Sequence, residues 1–194
     1  MAKTDPATAK SIRNQTIRWV ITIFLVTMLV SGAIKLASDQ IMSATGIVVA
    51  FLILFVIVLV GILFDIIGVA VTSADEKPFH SMASRKVPGA QESIKLMRNA
   101  ERVSSICNDV IGDICGVVSG SASATIAARV LLNVDFEWPQ LITLSMSAVV
   151  AGLTVGGKAM GKTFAIESST KIVYTTGRII YSLRRFPWVR KKKK

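Results

Sequence analysis

IMSATGIVVAFLILFVIVLVGILF, residues 41–64, runs without a charged side chain. As a helix at 1.5 Å per residue it would extend about 36 Å, more than the hydrocarbon core of a bilayer requires. This stretch decides the class of the protein, and the rest of the chain agrees with it. Hydrophobic residues make up 52% of the 194 positions and charged ones 18%, and the mean hydropathy is +0.57. Length and composition therefore predict one all-α membrane domain.

Outward from the central run, three more apolar segments are legible. Residues 19–34 form a shorter run closed by Lys35. Residues 104–132 and 141–157 are less apolar and rich in Gly, Ala and Ser. Four transmembrane helices is the simplest count. The expected organisation is a basic N-terminus (1–18) and a four-span domain (19–157) containing a helical hairpin at 75–103. A basic juxtamembrane helix and tail (158–194) follow.

The net charge of +11 sits mainly in the two tails and the central loop. Lys3, Lys10, Arg13 and Arg18 precede the first span, and Lys77, Arg85, Lys86, Lys95, Arg98 and Arg102 fill the loop after the second. The other loops are short, and NVDFEWPQ (133–140) is acidic. The positive-inside rule then predicts a multi-pass protein of the plasma (inner) membrane with both termini and the hairpin cytoplasmic. Trp19 and Trp188 would lie near the inner interface and Trp138 near the outer one. A secretory signal is disfavoured because the basic region is long and no small-residue cleavage site follows. No lipobox or C-terminal lipidation motif is present.

Residues 168–188 carry Ile172, Val173, Ile179, Ile180, Leu183 and Phe186 among basic residues, the pattern of an amphipathic helix at the inner interface. Arg184, Arg185, Arg190, Lys191, Lys192, Lys193 and Lys194 would meet anionic headgroups, or serve simply as a topology signal. No RNP, zinc-finger or helix-turn-helix spacing is present, which argues against nucleic acid as a partner.

The second half of the molecule raises the chemical question. SSICNDVIGDICG (104–116) places Asn108, Asp109 and Asp113 inside a predicted span. Intramembrane carboxylates are costly and usually face a partner, a cavity or an ion. Asp109 and Asp113 are four apart, hence on one helical face, and Lys158 and Lys162 repeat that spacing on the last span. Gly112, Gly116 and Gly120 form a small-x-x-x-small row suited to close helix packing, within the monomer or across a dimer. Cys107 and Cys115, about 12 Å apart on one helix, cannot bridge each other and read as small buried hydrophobes.

Enzymatic signatures are missing. His80 is the single histidine, in a loop, without a Ser/His/Asp, Cys/His or metal-ligand set around it. GGKAMGK (156–162) resembles a phosphate loop only superficially, since an apolar helix rather than a strand precedes it. The chain is read as neither an enzyme nor a cofactor protein.

From Phe64 onward the order of features is similar to the transmembrane domain of the CorB/CorC and cyclin-M magnesium-transport family. There a span runs into a cytoplasmic helical hairpin and the next span opens on a serine-containing turn. PGAQESIKLMRNAERVSS (88–105) reproduces that hairpin, with Gly89-Ala90-Gln91, Ala100-Glu101-Arg102 and Ser105 in register. The resemblance covers roughly residues 45–185. It implies a homodimer whose spans hold a dehydrated Mg²⁺ as substrate through oxygen ligands.

The matching ligand positions differ in this chain. Asp65, Ile66, Ile67 and Gly68 stand at the first motif, Val110-Ile111-Gly112 at the second with Asn108 and Asp109 upstream, and Gly157, Lys158, Gly161 and Lys162 at the third. A lysine, which donates hydrogen bonds and accepts none, occupies the place of a carboxylate. Family members commonly continue into nucleotide-binding regulatory modules, and no such module is expected here.

Two readings follow. In the first the protein transports or regulates a divalent, Mg²⁺-like cation through Asp65, Ser105, Asn108, Asp109 and Asp113, with Asp109 and Asp113 as metal ligands. In the second a Lys158 ammonium replaces the metal, countered by Asp65, Asp109 and Asp113. The protein is then a transport-inactive scaffold, a subunit for an unidentified protein partner, or a lipid-bound sensor.

Overall fold

A computed structural model describes residues 6–132 and 137–185, with backbone alone at 6–15 and 42–43. Trp188, Arg190, Lys191, Lys192, Lys193 and Lys194 lie outside the described residues. Every regular element described is helical: α1 (Pro6–Ala44), α2 (Ile47–Ser73), α3 (Lys77–Ser84), α4 (Ala90–Arg98) and α5 (Ala100–Ser105), then a π-helical segment (Ile106–Gly112), α6 (Asp113–Leu131), α7 (Pro139–Glu167) and α8 (Ser169–Arg185). The segments Thr16–Ile41, Ile47–Ser73, Ala100–Leu131 and Pro139–Glu167 are long and apolar enough to cross a membrane. The third of these is α5, the π segment and α6 in one continuous rod.

Several boundaries differ from the sequence reading, each for a local reason. The uncharged run 41–64 is split: its first residues finish α1, and α2 begins after Gly46, whose extended backbone (φ −67°, ψ 161°) breaks the helix. Lys35 does not close the first span. It pairs with Asp39 at 3.1 Å one turn later, and α1 continues to Ala44. The last span does not end at Gly157 either. α7 carries Lys158 and Lys162 within it and stops at Ser168, so the boundary drawn between 157 and 158 moves to the break before α8.

Contacts along the rods give the relative directions. The space beside Gly61 is closed by Cys115 and that beside Gly68 by Asn108, so α2 runs antiparallel to the third rod. Gly157 abuts Ile62 and Gly161 abuts Ile66, so α7 runs parallel to α2. Trp19 stacks under the Arg102 guanidinium, 5.6 Å from ring centroid to Cζ, and Arg129 donates to the Thr45 carbonyl at 3.1 Å. α1 is therefore parallel to the third rod. One end of the bundle accordingly gathers the start of α1, helices α3 and α4, and α8; the other gathers the α1–α2 link and the end of α6.

Two apolar clusters hold the bundle. Ala50, Leu54, Ala122 and Ile126 pack at the far end. Ala70, Val71, Phe79, Met97, Ala165 and Val173 pack where α2, α3, α4, α7 and α8 meet. Most other large apolar side chains face outward, among them Val48, Leu52, Phe55, Leu153 and Met160. That inverted distribution suits lipid rather than water as the surrounding medium.

α8 is bound to α4 by close backbone approach. A Cβ on Gly177 would strike Ser93 Oγ and lie 2.8 Å from the Gly89 carbonyl, and Gly89 itself has φ +90° with the Arg178 backbone against it. Ser93 Oγ donates to the Val173 carbonyl at 3.1 Å, and Arg184 reaches Glu92 at 4.0 Å. Glycine is required at 89 on both counts, positive φ and lack of room. Ile179 and Leu183, on the flank of α8, are exposed.

Candidate functional site: a polar centre at a π-helical segment

Between the two apolar clusters lies a polar layer contributed by three rods. Asp65 on α2 is buried, 5% exposed. Lys158 on α7 faces it, with Nζ 3.9 Å from Oδ1. That separation is an ion pair beyond hydrogen-bond range, leaving Asp65 Oδ2 buried without a donor from the protein. Each of Asp65, Asn108 and Lys158 sits about two to three turns from the α3/α4/α8 end of its rod, so the three share one depth.

Asn108 enters from the π segment. Its Nδ2 donates to Ser104 Oγ at 3.2 Å, while its Oδ1 is buried and receives no hydrogen bond from the protein. The Asn108 amide lies directly against Gly68, where any Cβ would collide with Oδ1. Gly112, at the end of the same segment, faces the Lys158 ammonium: a Cβ there would stand 3.2 Å from Nζ and 3.4 Å from the Cys107 carbonyl. Glycines at 68 and 112 therefore admit an amide and an ammonium to the helix surfaces. The chemistry available is one buried carboxylate, one amide oxygen and one half-buried ammonium. Two of the acceptor oxygens are unsatisfied, which in a native interior demands an explanation such as an ion or water.

The π segment accounts for which residues reach this layer. Wider turns with i→i+5 hydrogen bonds rotate the side chains relative to a regular helix, and such segments occur frequently at functional sites. Asn108 consequently points to α2, whereas Asp109 and Asp113 are exposed on the outside of the bundle. The i,i+4 face expected for those two carboxylates assumed 3.6 residues per turn, and it does not meet Lys158. Lys162, one turn beyond Lys158, is likewise exposed. Among the described residues no group of three His, Cys, Asp or Glu side chains converges to hold a metal.

The other expected residues fall elsewhere. Ser105 is not in the polar layer and lines a cleft beside α1; its neighbour Ser104 is the serine that orients Asn108. Of the glycine row, Gly112 alone is closely approached. Cβ atoms at Gly116 and Gly120 would meet nothing within 4 Å, so neither is a packing contact inside the monomer. The helix contact is made instead by Ser119, Ala122, Ser123 and Ile126, all buried. Arg184 and Arg185 end α8 in exposed positions.

Ser104 and Gly68 carry more of the site than the sequence reading assigned them. The Ser104–Asn108 spacing was a visible signal, since residues four apart are neighbours on a helix. Gly68 had no such signal, because its role depends on the opposing rod. No family model, no curated protein and no solved structure matches this chain.

Proposed function

We propose that the protein is an integral membrane protein of the cation-transporter type, handling a divalent, Mg²⁺-like cation as substrate at the Asp65–Asn108 layer. The observation that carries this reading is the pair of buried oxygen atoms, Asp65 Oδ2 and Asn108 Oδ1, left without donors in an apolar bundle. Hard cations take such oxygens as ligands. The resemblance to the CorB/CorC and cyclin-M transmembrane domain points the same way, and it brings with it the expectation of a homodimer. The basic residues of the α1 start and of the α3–α4 segment share one end of the bundle, which supports a cytoplasmic hairpin and cytoplasmic termini in an inner membrane. The exposed apolar flank of α8, with its terminal arginines, supports contact with the headgroup region.

A second reading is favoured by the ion pair. Asp65 and Lys158 together carry no net charge, so a dication gains little from the layer while the ammonium stays in place. Lys158 then substitutes permanently for the ion, and the protein serves as a membrane scaffold or partner subunit.

Mg²⁺ flux into sealed proteoliposomes separates the two. Transport predicts uptake above empty vesicles that is lost in Asp65→Asn. The scaffold reading predicts no uptake by the parent protein. It also predicts that Lys158→Met, which frees the carboxylate, gains a Mg²⁺-dependent rise in Tm that the parent lacks.

A further inference from the structure

A cleft of about 680 Å³ opens between the start of the apolar part of α1 and the α5 turn of the third rod. Its walls include Arg18, Trp19, Glu101, Arg102 and Ser105. Two arginines and one glutamate line it, and among the described residues neither arginine takes part in an ion pair. The Trp19 ring holds the Arg102 guanidinium at 5.6 Å, a cation–π contact that fixes its position without neutralising it. Thr22, also in the wall, already spends its hydroxyl on the Arg18 carbonyl at 2.8 Å, which leaves the Ser105 hydroxyl as a neutral donor facing the cleft.

We propose that this cleft is a binding site for a phosphate group, of the kind carried by an anionic phospholipid headgroup or by free inorganic phosphate. Planar guanidiniums match phosphate oxygens in a bidentate fork, and a serine hydroxyl adds a neutral donor. The volume falls within the usual range for small-molecule sites, about 300–1,000 Å³. Its depth is that of the headgroups, because Trp19 begins the apolar part of α1 and tryptophans concentrate at that level. The site is separate from the Asp65–Asn108 layer. It takes only its depth from the membrane reading and nothing from the cation reading. It is also distinct from a diffuse attraction of lipid to the basic tail, since it is built from residues of two different rods.

The purified full chain in neutral detergent, titrated with short-chain phosphatidylglycerol or with inorganic phosphate while Tm is followed, tests this. Phosphatidylglycerol should raise the Tm of the parent protein. Arg18→Gln/Arg102→Gln should weaken the apparent affinity at least about tenfold, while Lys77→Gln/Arg85→Gln at the two ends of α3, both exposed, leaves it unchanged. Glu101→Gln, which removes the opposing carboxylate, should tighten binding. Inorganic phosphate acting as strongly as the lipid would identify the phosphate alone as the ligand; phosphate without effect beside an active lipid would assign the site to the headgroup. Equal losses in the α3 and cleft variants, or weaker binding in Glu101→Gln, would overturn the proposal. So would unchanged binding in a cleft variant that melts like the parent.

Discussion

Lys158→Met removes the charge that faces buried Asp65, and the cost is set by what remains. The lysine side chain is 22% exposed and the aspartate 6%, so the pair is partly screened on one side only. Losing the lysine should destabilise the protein by about 1–3 kcal/mol, less than for a fully buried pair. Asp65→Leu/Lys158→Met should recover most of that loss, because no uncompensated charge is left. Thermal melts of the two single variants and the double variant give the coupling directly, and a coupling near zero would mean the two groups do not sense each other. At Gly68 the prediction is steric. Gly68→Ala drives a methyl into the Asn108 amide and should cost about 1–3 kcal/mol, with partial rescue by Asn108→Ala. Gly116→Ala and Gly120→Ala meet open space and should leave the monomer's Tm unchanged or slightly raised.

At the scale of single elements, the π segment and α8 behave differently from their neighbours. The i→i+5 turns of Ile106–Gly112 place Asn108 against α2 at the expense of regular helical hydrogen bonding. Amides in this segment should exchange with deuterium faster than those of Asp113–Leu131, as followed by mass spectrometry of the detergent-solubilised protein. Equal protection along the whole rod would contradict that. α8 depends on contact with α4 through Gly177, Gly89 and Ser93. Gly177→Val forces the two helices apart, so α8 should become susceptible to trypsin at Lys171 and Arg178, both exposed on its surface. The four long rods should stay protected in the same digest, because their packing does not pass through Gly177.

For the whole molecule, the relative directions of the rods make a two-sided prediction. α1 and the third rod run one way and α2 and α7 the other, so Ser84 and Glu137 lie toward opposite ends. In oriented membrane vesicles, a membrane-impermeant maleimide should label Ser84→Cys from one side and Glu137→Cys from the other. Both should be made in a background where Cys107 and Cys115 are replaced by alanine. Labelling of both from the same side would require a different number of crossings.

The four long apolar helices and the all-helical class were written in the sequence, because hydropathy over some twenty residues is a local property. So was the presence of acid and amide groups near residue 108 within an apolar helix. Which of them turn inward was not legible. Asp109 and Asp113 have the spacing of an interior pair, yet the π segment rotates them out and brings Asn108 in. Lys35 looks like the end of a span until Asp39 is found paired with it. Asp65 and Lys158, far apart in the chain, meet only because α2 and α7 run parallel at matched depth, with glycines at 157 and 161 letting the rods approach. Helix existence follows from each segment's own composition; the polar layer follows from the register between segments, which only their packing sets.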